Sequence, residues 1–179
     1  MPKVEVVRTY LELVEREALR PVPCPDPRAR VERVEGCPAS FLRYLYVEVG
    51  RSCHWVDRLS WTDAEWRERI ASPAVSLFVM ALAGAPAGYF ELERHADGSV
   101  EIAYFGLLPE FLGRGLGKHL LTQAAEAAWA LRPPRVWLHT CTLDDPAALP
   151  NYLARGFRAF KNETYQAELR PASGSGHTA

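Results

Sequence analysis

The sequence predicts an α/β (α+β) domain built on a mixed, largely antiparallel central sheet with helices on both of its faces. Three observations predict it. A meander of apolar runs joined by tight turns spans Ser76 to Leu107, and a strand, helix, strand, helix order follows from Ser99 to Phe157. No internal repeat and no Pro/Gly/Ser-rich linker divides the chain, so residues 1–170 read as one domain.

The elements follow in order. Val4 to Val14 alternates loosely as a strand would, and Pro21, Pro23, Pro25 and Pro27 then force an extended connection into a short strand, Ala29 to Glu35. Residues 1–40 form a strand and Pro-rich extension. Ser40 to Val49 reads as a helix with Ser40 as N-cap and Gly50 past its end, although the β-branched and aromatic run YLYVEV is also compatible with a strand. Thr62 to Ala71 carries firmer helix signals. Thr62 and Glu65 have capping-box spacing, and Trp61 and Trp66 occupy the two positions of a hydrophobic staple. The meander comprises Ser76 to Leu82, a Gly84-Ala85-Pro86 turn, Ala87 to Leu92, an Asp97-Gly98 turn, and Ser99 to Leu107. A helix opens after the next glycines and ends before Pro133-Pro134, and Arg135 to Cys141 reads as a buried strand. Arg158 to Lys161 and Tyr165 to Leu169 read as two closing strands, and residues 171–179 as a disordered tail.

The most informative stretch is Val100 to Trp129, where an apolar strand runs into a glycine-rich turn that opens an alanine-rich helix. Gly113, Gly115 and Gly117 remove side chains where a backbone must approach an anion, and the first-turn N–H groups of the following helix point at it with the positive end of the helix dipole. Two common phosphate motifs fail on spacing. A P-loop needs glycine where Leu112 stands and Ser or Thr where His119 stands, and a dinucleotide fingerprint needs its third glycine where Lys118 stands.

Downstream, Asp145 to Phe157 (DPAALPNYLARGF) follows the buried strand. Together the two segments resemble the GNAT superfamily of N-acetyltransferases. The family turn, Gln/Arg-x-x-Gly-x-Gly/Ala, appears as Leu112-Gly113-Arg114-Gly115-Leu116-Gly117, and the pattern Asn-x-x-Ala-x-x-x-Tyr-x-x-x-Gly-Phe appears as Asp145, Ala148, Tyr152, Gly156 and Phe157. Leu112 departs from the usual Gln or Arg, which matters little if main-chain N–H groups hold the pyrophosphate. Asp145 departs from the usual Asn and, when ionised, cannot donate a hydrogen bond. The resemblance covers Ser76 to Leu169 and implies two parallel strands at the sheet centre, Ser99–Leu107 and Arg135–Cys141, that splay apart around an acyl thioester. It further implies acetyl-CoA as cosubstrate, bound by residues 76–170, with residues 41–75 forming the acceptor side.

Acetyl transfer to an amine needs a neutral nucleophile, a stabilised oxyanion and a proton for the departing thiolate. Glu101 stands in the strand that leads to the glycine turn, on the opposite side of the pleat from Val100, Ile102 and Tyr104, at the offset of the general-base glutamate in the histone-acetyltransferase branch of the resembling family. Tyr152 matches the family tyrosine that protonates the thiolate, with aromatic packing as its plainer use. The resemblance assigns oxyanion contacts to main-chain N–H groups around Leu107 and Leu108, at a β-bulge that Gly106 would allow, and the pyrophosphate to Gly113, Arg114, Gly115, Gly117 and Lys118. Asp145 completes the cofactor-side set. His139 is an alternative base, and Cys141 a weak candidate nucleophile because direct transfer needs no acyl-enzyme. Trp55 and Asp57 supply an aromatic wall and a cation anchor for the acceptor, or else a helix–helix contact and a surface charge.

Bulk properties exclude several classes. A net charge of −1 gives no electrostatic footprint for nucleic acid or an anionic membrane. No apolar run approaches the ~18 residues of a membrane span, and charges interrupt the N-terminus where a signal core would lie. Four cysteines without a CxxC pair suit free thiols in a reducing compartment, so a cytoplasmic location is expected. The histidines show no zinc-ligand spacing, and no metal is expected. The expected activity is acetyl-CoA-dependent N-acetyl transfer to a small-molecule or peptide amine, with a homodimer left open. The competing readings are a catalytically silent acyl-CoA-binding module and an enzyme that uses a longer acyl group.

Overall fold

The structure, a computed structural model, describes residues 3–51 and 53–169. The expected disordered tail, residues 171–179, lies outside the described residues. Among the described residues seven strands form one sheet: β1 (Lys3–Leu13), β2 (Ala29–Arg33), β3 (Val75–Leu82), β4 (Ala85–Arg94), β5 (Val100–Leu107), β6 (Val136–Cys141) and β7 (Arg158–Glu168). Their order is β2-β3-β4-β5-β6-β1-β7. Every neighbouring pair is antiparallel except β5 and β6, so the mixed, largely antiparallel sheet expected from the sequence is found.

Helices α1 (Ala39–Gly50) and α2 (Asp63–Ala71) cover one face, and α3 (Leu116–Ala130) the other; α4 (Ala148–Ala154) adds Tyr152 to the same core as α3. Two apolar cores result. Leu116, Leu120, Leu121 and Ala124 of α3 pack with Phe90, Ile102 and Leu138 of the sheet. On the opposite face Leu42, Leu45, Tyr46 and Val49 of α1 pack with Trp66, Leu77 and Tyr89.

Helix α2 begins as its sequence signals require. Thr62 Oγ1 accepts from Glu65 N–H, the Glu65 carboxylate accepts from Thr62 N–H at 2.6 Å, and the Trp61 and Trp66 rings stand 5.0 Å apart. Helix α1 resolves the ambiguity of its run in favour of helix, with two corrections. Pro38, not Ser40, is the N-cap, and the helix runs through Gly50 rather than ending before it. A Cβ on Gly50 would meet Trp55 Cβ at 2.6 Å, so glycine is kept here for the close approach of the following loop.

Three further expectations are corrected. The β3–β4 turn is Ala83-Gly84, both at positive φ (50° and 89°), so β4 starts at Ala85 and runs beyond Leu92 to Arg94. The closing strands are a single strand, β7. The polar Asn162, Glu163 and Thr164 look like a turn but pair with Thr9, Arg8 and Val7 of β1, on a sheet-edge strand where polar side chains face water. The β-bulge of β5 lies at Ala103, where Glu91 faces Tyr104 and Leu92 faces Ile102, rather than at Leu107. One extra residue reverses the side-chain parity, so Tyr104 packs with the α1–α2 core while Val100 and Ile102 pack with the α3 core. Glu101 and Tyr104 therefore share a face, contrary to simple alternation. Gly106 serves close packing instead of a bulge, since a Cβ there would meet Val49 Cγ1 of α1 at 2.5 Å.

Candidate functional site

Parallel pairing of β5 with β6 is confined to Val100 with Val136 and Glu101 with Trp137. Beyond those pairs the two strands run on without pairing, and a cavity of about 1050 Å³ lies at the opening. This is the upper end of volumes that hold a drug-sized ligand. Leu112, Gly113, Gly115, Gly117 and Lys118 line one part of it, and Trp55, Asp57, Glu93, Glu101 and His139 another.

The glycine part is made of main chain. Gly113 and Gly115 sit at φ 73° and 76°, a region that L side chains adopt only with strain, and a Cβ on Gly113 would meet nothing within 4 Å. Gly115 is the N-cap of α3, no side chain caps the helix, and its first turn holds no acidic residue. The first-turn N–H groups have no helical acceptors, so they and the dipole are directed at whatever anion the turn receives. Lys118 lines the cavity, whereas Arg114 does not and lies over the Phe111 ring at 5.3 Å.

Leu107 lines the cavity and Leu108 does not. Leu108 N–H donates to Ala87 O at 2.9 Å, which turns it toward β4; strand alternation then turns Leu107 N–H the other way, into the opening beside β6. Tyr152, on α4, is 7% exposed, lines the cavity and packs edge-on against Phe105 and Phe157. Burial pushes its phenol well above the ordinary tyrosine range, so it remains a protonated donor. Asp145 lines the cavity, and its Oδ1 accepts from Ala147 N–H at 2.8 Å, steadying the turn into α4.

Glu101 is 8% exposed, and burial raises its carboxyl above the usual glutamate range, opposed by its contact with His95. His95 Nε2 lies 2.8 Å from Glu101 Oε2, and His139 Nε2 stands 3.8 Å from Oε1. His139 opens onto the cavity, with burial and Arg8 holding its imidazole below the ordinary value. Cys141 also lines the cavity, but burial raises its thiol and so removes the thiolate that a nucleophile would need. Ligand atoms of Glu93, His95 and Glu101 lie within 4.8 Å of one another, close enough for a divalent cation by distance. Each already has another partner: His95 and Glu101 bond each other, and Glu93 pairs with Arg69 at 2.7 Å.

The loop between α1 and α2 brings Trp55 and Asp57 to the cavity. Trp55 meets Tyr104 edge-on at 4.9 Å and Tyr46 at 5.6 Å, so its wall is also a packing contact. The loop is anchored by Arg58, only 5% exposed, whose guanidinium bonds both oxygens of the fully buried Glu91 at 2.8 and 2.9 Å. Tyr104 lies 4.1 Å beneath that guanidinium and Trp61 4.6 Å away. Arg69 Nε also donates to Glu91 Oε1 at 2.6 Å.

Sequence reasoning missed His95, Glu93, Arg58 and Asn151. The Asp97-Gly98 turn carried a signal for the first two, because a tight hairpin there sets Glu93 opposite Glu101 and leaves His95 on the same face. Asn151 lines the cavity and donates from Nδ2 to Gly117 O at 3.3 Å, while its buried Oδ1 has no partner among the described residues. Nothing in the sequence marked either Arg58 or Asn151.

A model described as "Acetyltransferase (GNAT) family" matches residues 40–157, starting upstream of the Ser76 at which the sequence resemblance begins. No curated protein sequence matches the chain. Among solved structures, a GCN5-related N-acetyltransferase from Kribbella flavida is 19% identical with a TM-score of 0.63, covering 92% of this chain and 58% of that one. Spermidine N-acetyltransferase from Vibrio cholerae, in complex with CoA and spermine, is 21% identical with a TM-score of 0.60, covering 73% and 81%. An aminoglycoside acetyltransferase from an uncultured soil metagenomic sample is 16% identical with a TM-score of 0.59, covering 73% and 88%. The chain spans about three fifths of the length of the first solved structures it matches. At these identities the likeness to solved structures concerns the fold.

Proposed function

The chain belongs to the acetyltransferase (GNAT) family, and from that premise we propose that it transfers an acetyl group from acetyl-CoA to a primary amine by direct attack in a ternary complex. One observation carries the reading: a single cavity joins an uncapped, glycine-bordered helix N-terminus to a buried glutamate of raised proton affinity, with Tyr152 on its wall.

The residues fit the cosubstrate. Gly113 leaves open space beside the turn, the first turn of α3 offers unpaired N–H groups for a diphosphate, Lys118 adds charge, and the parted strands leave room for an extended thioester arm. When bound, acetyl-CoA supplies a carbonyl carbon open to attack and a thiol leaving group. Glu101 takes one proton from the ammonium form of the acceptor, freeing the nitrogen lone pair that forms the new C–N bond. Leu107 N–H donates to the carbonyl oxygen as negative charge collects there. As the C–S bond breaks, Tyr152 O–H donates to the departing sulfur, and the second nitrogen proton replaces the one Tyr152 gives up. One proton is released to solvent per turnover.

Asp57 and the Trp55 ring, beside the Glu101 base, give the acceptor end the character of a cation receptor. Two fold neighbours are named for cationic amines, spermidine and aminoglycosides, which supports trying these first. Among the described residues no helix is long and apolar enough to cross a membrane. Four cysteines without a CxxC pair support a cytoplasmic enzyme, of one domain over residues 1–170.

The test is release of free thiol from acetyl-CoA over a panel of spermidine, kanamycin, single amino acids and a peptide with a free N-terminus. Turnover is expected with at least one, and propionyl-CoA and succinyl-CoA should react more slowly. Binding of acetyl-CoA without turnover of any amine would replace this reading with a silent acyl-CoA-binding module.

A further inference from the structure

The pair made by His95 and Glu101 goes beyond the assignment of a base. We propose that His95 is the positioning residue of Glu101: its Nε2–H holds Oε2 and turns Oε1 toward the acceptor. The proposal rests on Glu101 as the base.

Geometry supports it from both sides of the contact. The 2.8 Å separation, with the carboxyl ionised, is Nε2–H donating to Oε2, and the other oxygen is the one nearer His139 of β6 across the cavity. The imidazole is itself held. Its ring lies against the Trp137 indole at a centroid distance of 5.2 Å; Trp137 Nε1–H donates to Ser99 Oγ at 3.1 Å, and Ser99 Oγ–H to Asp97 Oδ1 at 2.6 Å. A chain of contacts from the Asp97-Gly98 turn thus ends on a single oxygen of the buried glutamate. A hydrogen bond to the charged form offsets part of the desolvation that favours the neutral acid.

The other charged groups around the pair are few. Glu93 of β4 lies beside both and raises Glu101, while Arg69 of α2 lowers it and takes Glu93 in an ion pair. His139 faces Oε1 from β6, Asp57 and Arg8 reach the cavity from the α1–α2 loop and β1, and Asp97 with Arg135 lies on the outer side of His95. Among the described residues His95 is therefore the one neighbour in hydrogen-bond contact with the carboxylate.

The experiment compares wild type, His95→Ala, His95→Gln and Glu101→Gln by two readouts. The first, which needs no acceptor, follows the Glu101 side-chain carboxyl by NMR through a pH titration of ¹³C-glutamate-labelled protein, using Glu101→Gln to assign the signal. The second is kcat/KM against pH with the fastest panel amine. His95→Ala should move the Glu101 titration to higher pH and lower kcat/KM about tenfold on its acid side, with recovery as pH rises. His95→Gln, which keeps an N–H donor, should restore most of both. An unmoved Glu101 titration, with kcat/KM lowered by the same factor at every pH, would overturn the proposal as a merely structural effect. Wild-type turnover by Glu101→Gln would instead overturn the base assignment, and this proposal with it, even where the titration moves.

Discussion

The two ends of the cavity are built from different materials. At the glycine end, function lies in main-chain geometry, with positive φ at Gly113 and Gly115 and an uncapped helix, and few side chains take part. At the acceptor end it lies in side chains held by long-range contacts, where Arg58 bonds Glu91 from 33 positions away and His95 bonds Glu101 across a hairpin. A backbone site depends on what residues lack, and it tolerates variation everywhere else. A side-chain site depends on a buried charge network whose failure spreads, because each charge removed strands another.

The sharpest way to break that contrast is Glu91→Ala. Glu91 is fully buried, and its loss leaves the Arg58 guanidinium without a counter-charge among aromatic rings. The expected cost is about 3–5 kcal/mol of stability by urea denaturation, with the α1–α2 loop loosened and acceptor KM raised more than acetyl-CoA KM. Equal damage to both KM values would mean the two ends are energetically one site.

Next in size is Tyr152→Phe. Removing one hydroxyl from a packed ring should lower kcat about 10²-fold, or about 2.7 kcal/mol in barrier, with acetyl-CoA affinity nearly unchanged. Unchanged kcat would reduce Tyr152 to a packing residue between Phe105 and Phe157.

Gly115→Val tests the backbone end alone. A β-branched residue at φ 76° costs about 1–2 kcal/mol, and the loop should answer by turning its N–H groups away. Calorimetry should show acetyl-CoA binding weakened about tenfold or more, while the titration of Glu101 is unmoved.

The same contrast explains what could be read in advance. The glycine turn and the capping box at Thr62 were legible because each depends on residues close in sequence, whereas Glu101 and Tyr152 were singled out by the family resemblance. The mixed sheet with helices on its faces followed from the order of the elements, and its parallel central pair from the family resemblance. What failed was whatever hangs on a partner elsewhere. Nothing marked Glu91 within its strand, Gly106 reads as a bulge signal when it answers Val49 of α1, and the bulge at Ala103 moves Tyr104 to the face opposite the one alternation gives. A single inserted residue in a ladder leaves no composition mark, yet it decides which side chains meet the acceptor.

The smallest expected effect is the most specific to Glu101. Burial raises the carboxyl of the folded chain above its unfolded value, so the stability tied to the neutral acid is fully present below the unfolded value and is lost as pH rises through the folded one. Glu101→Gln cannot ionise. Its Tm should therefore match wild type in acid and exceed it by a growing margin as pH climbs through the window just above the ordinary glutamate range, while turnover falls. The His95 contact narrows that margin by favouring the charged form, so adding His95→Ala to the wild-type glutamate should widen the gap to the Gln variant. A Tm difference that stays constant with pH would mean that the hydrogen bond from His95 balances desolvation in full, and the acceptor end would then store no strain at its base.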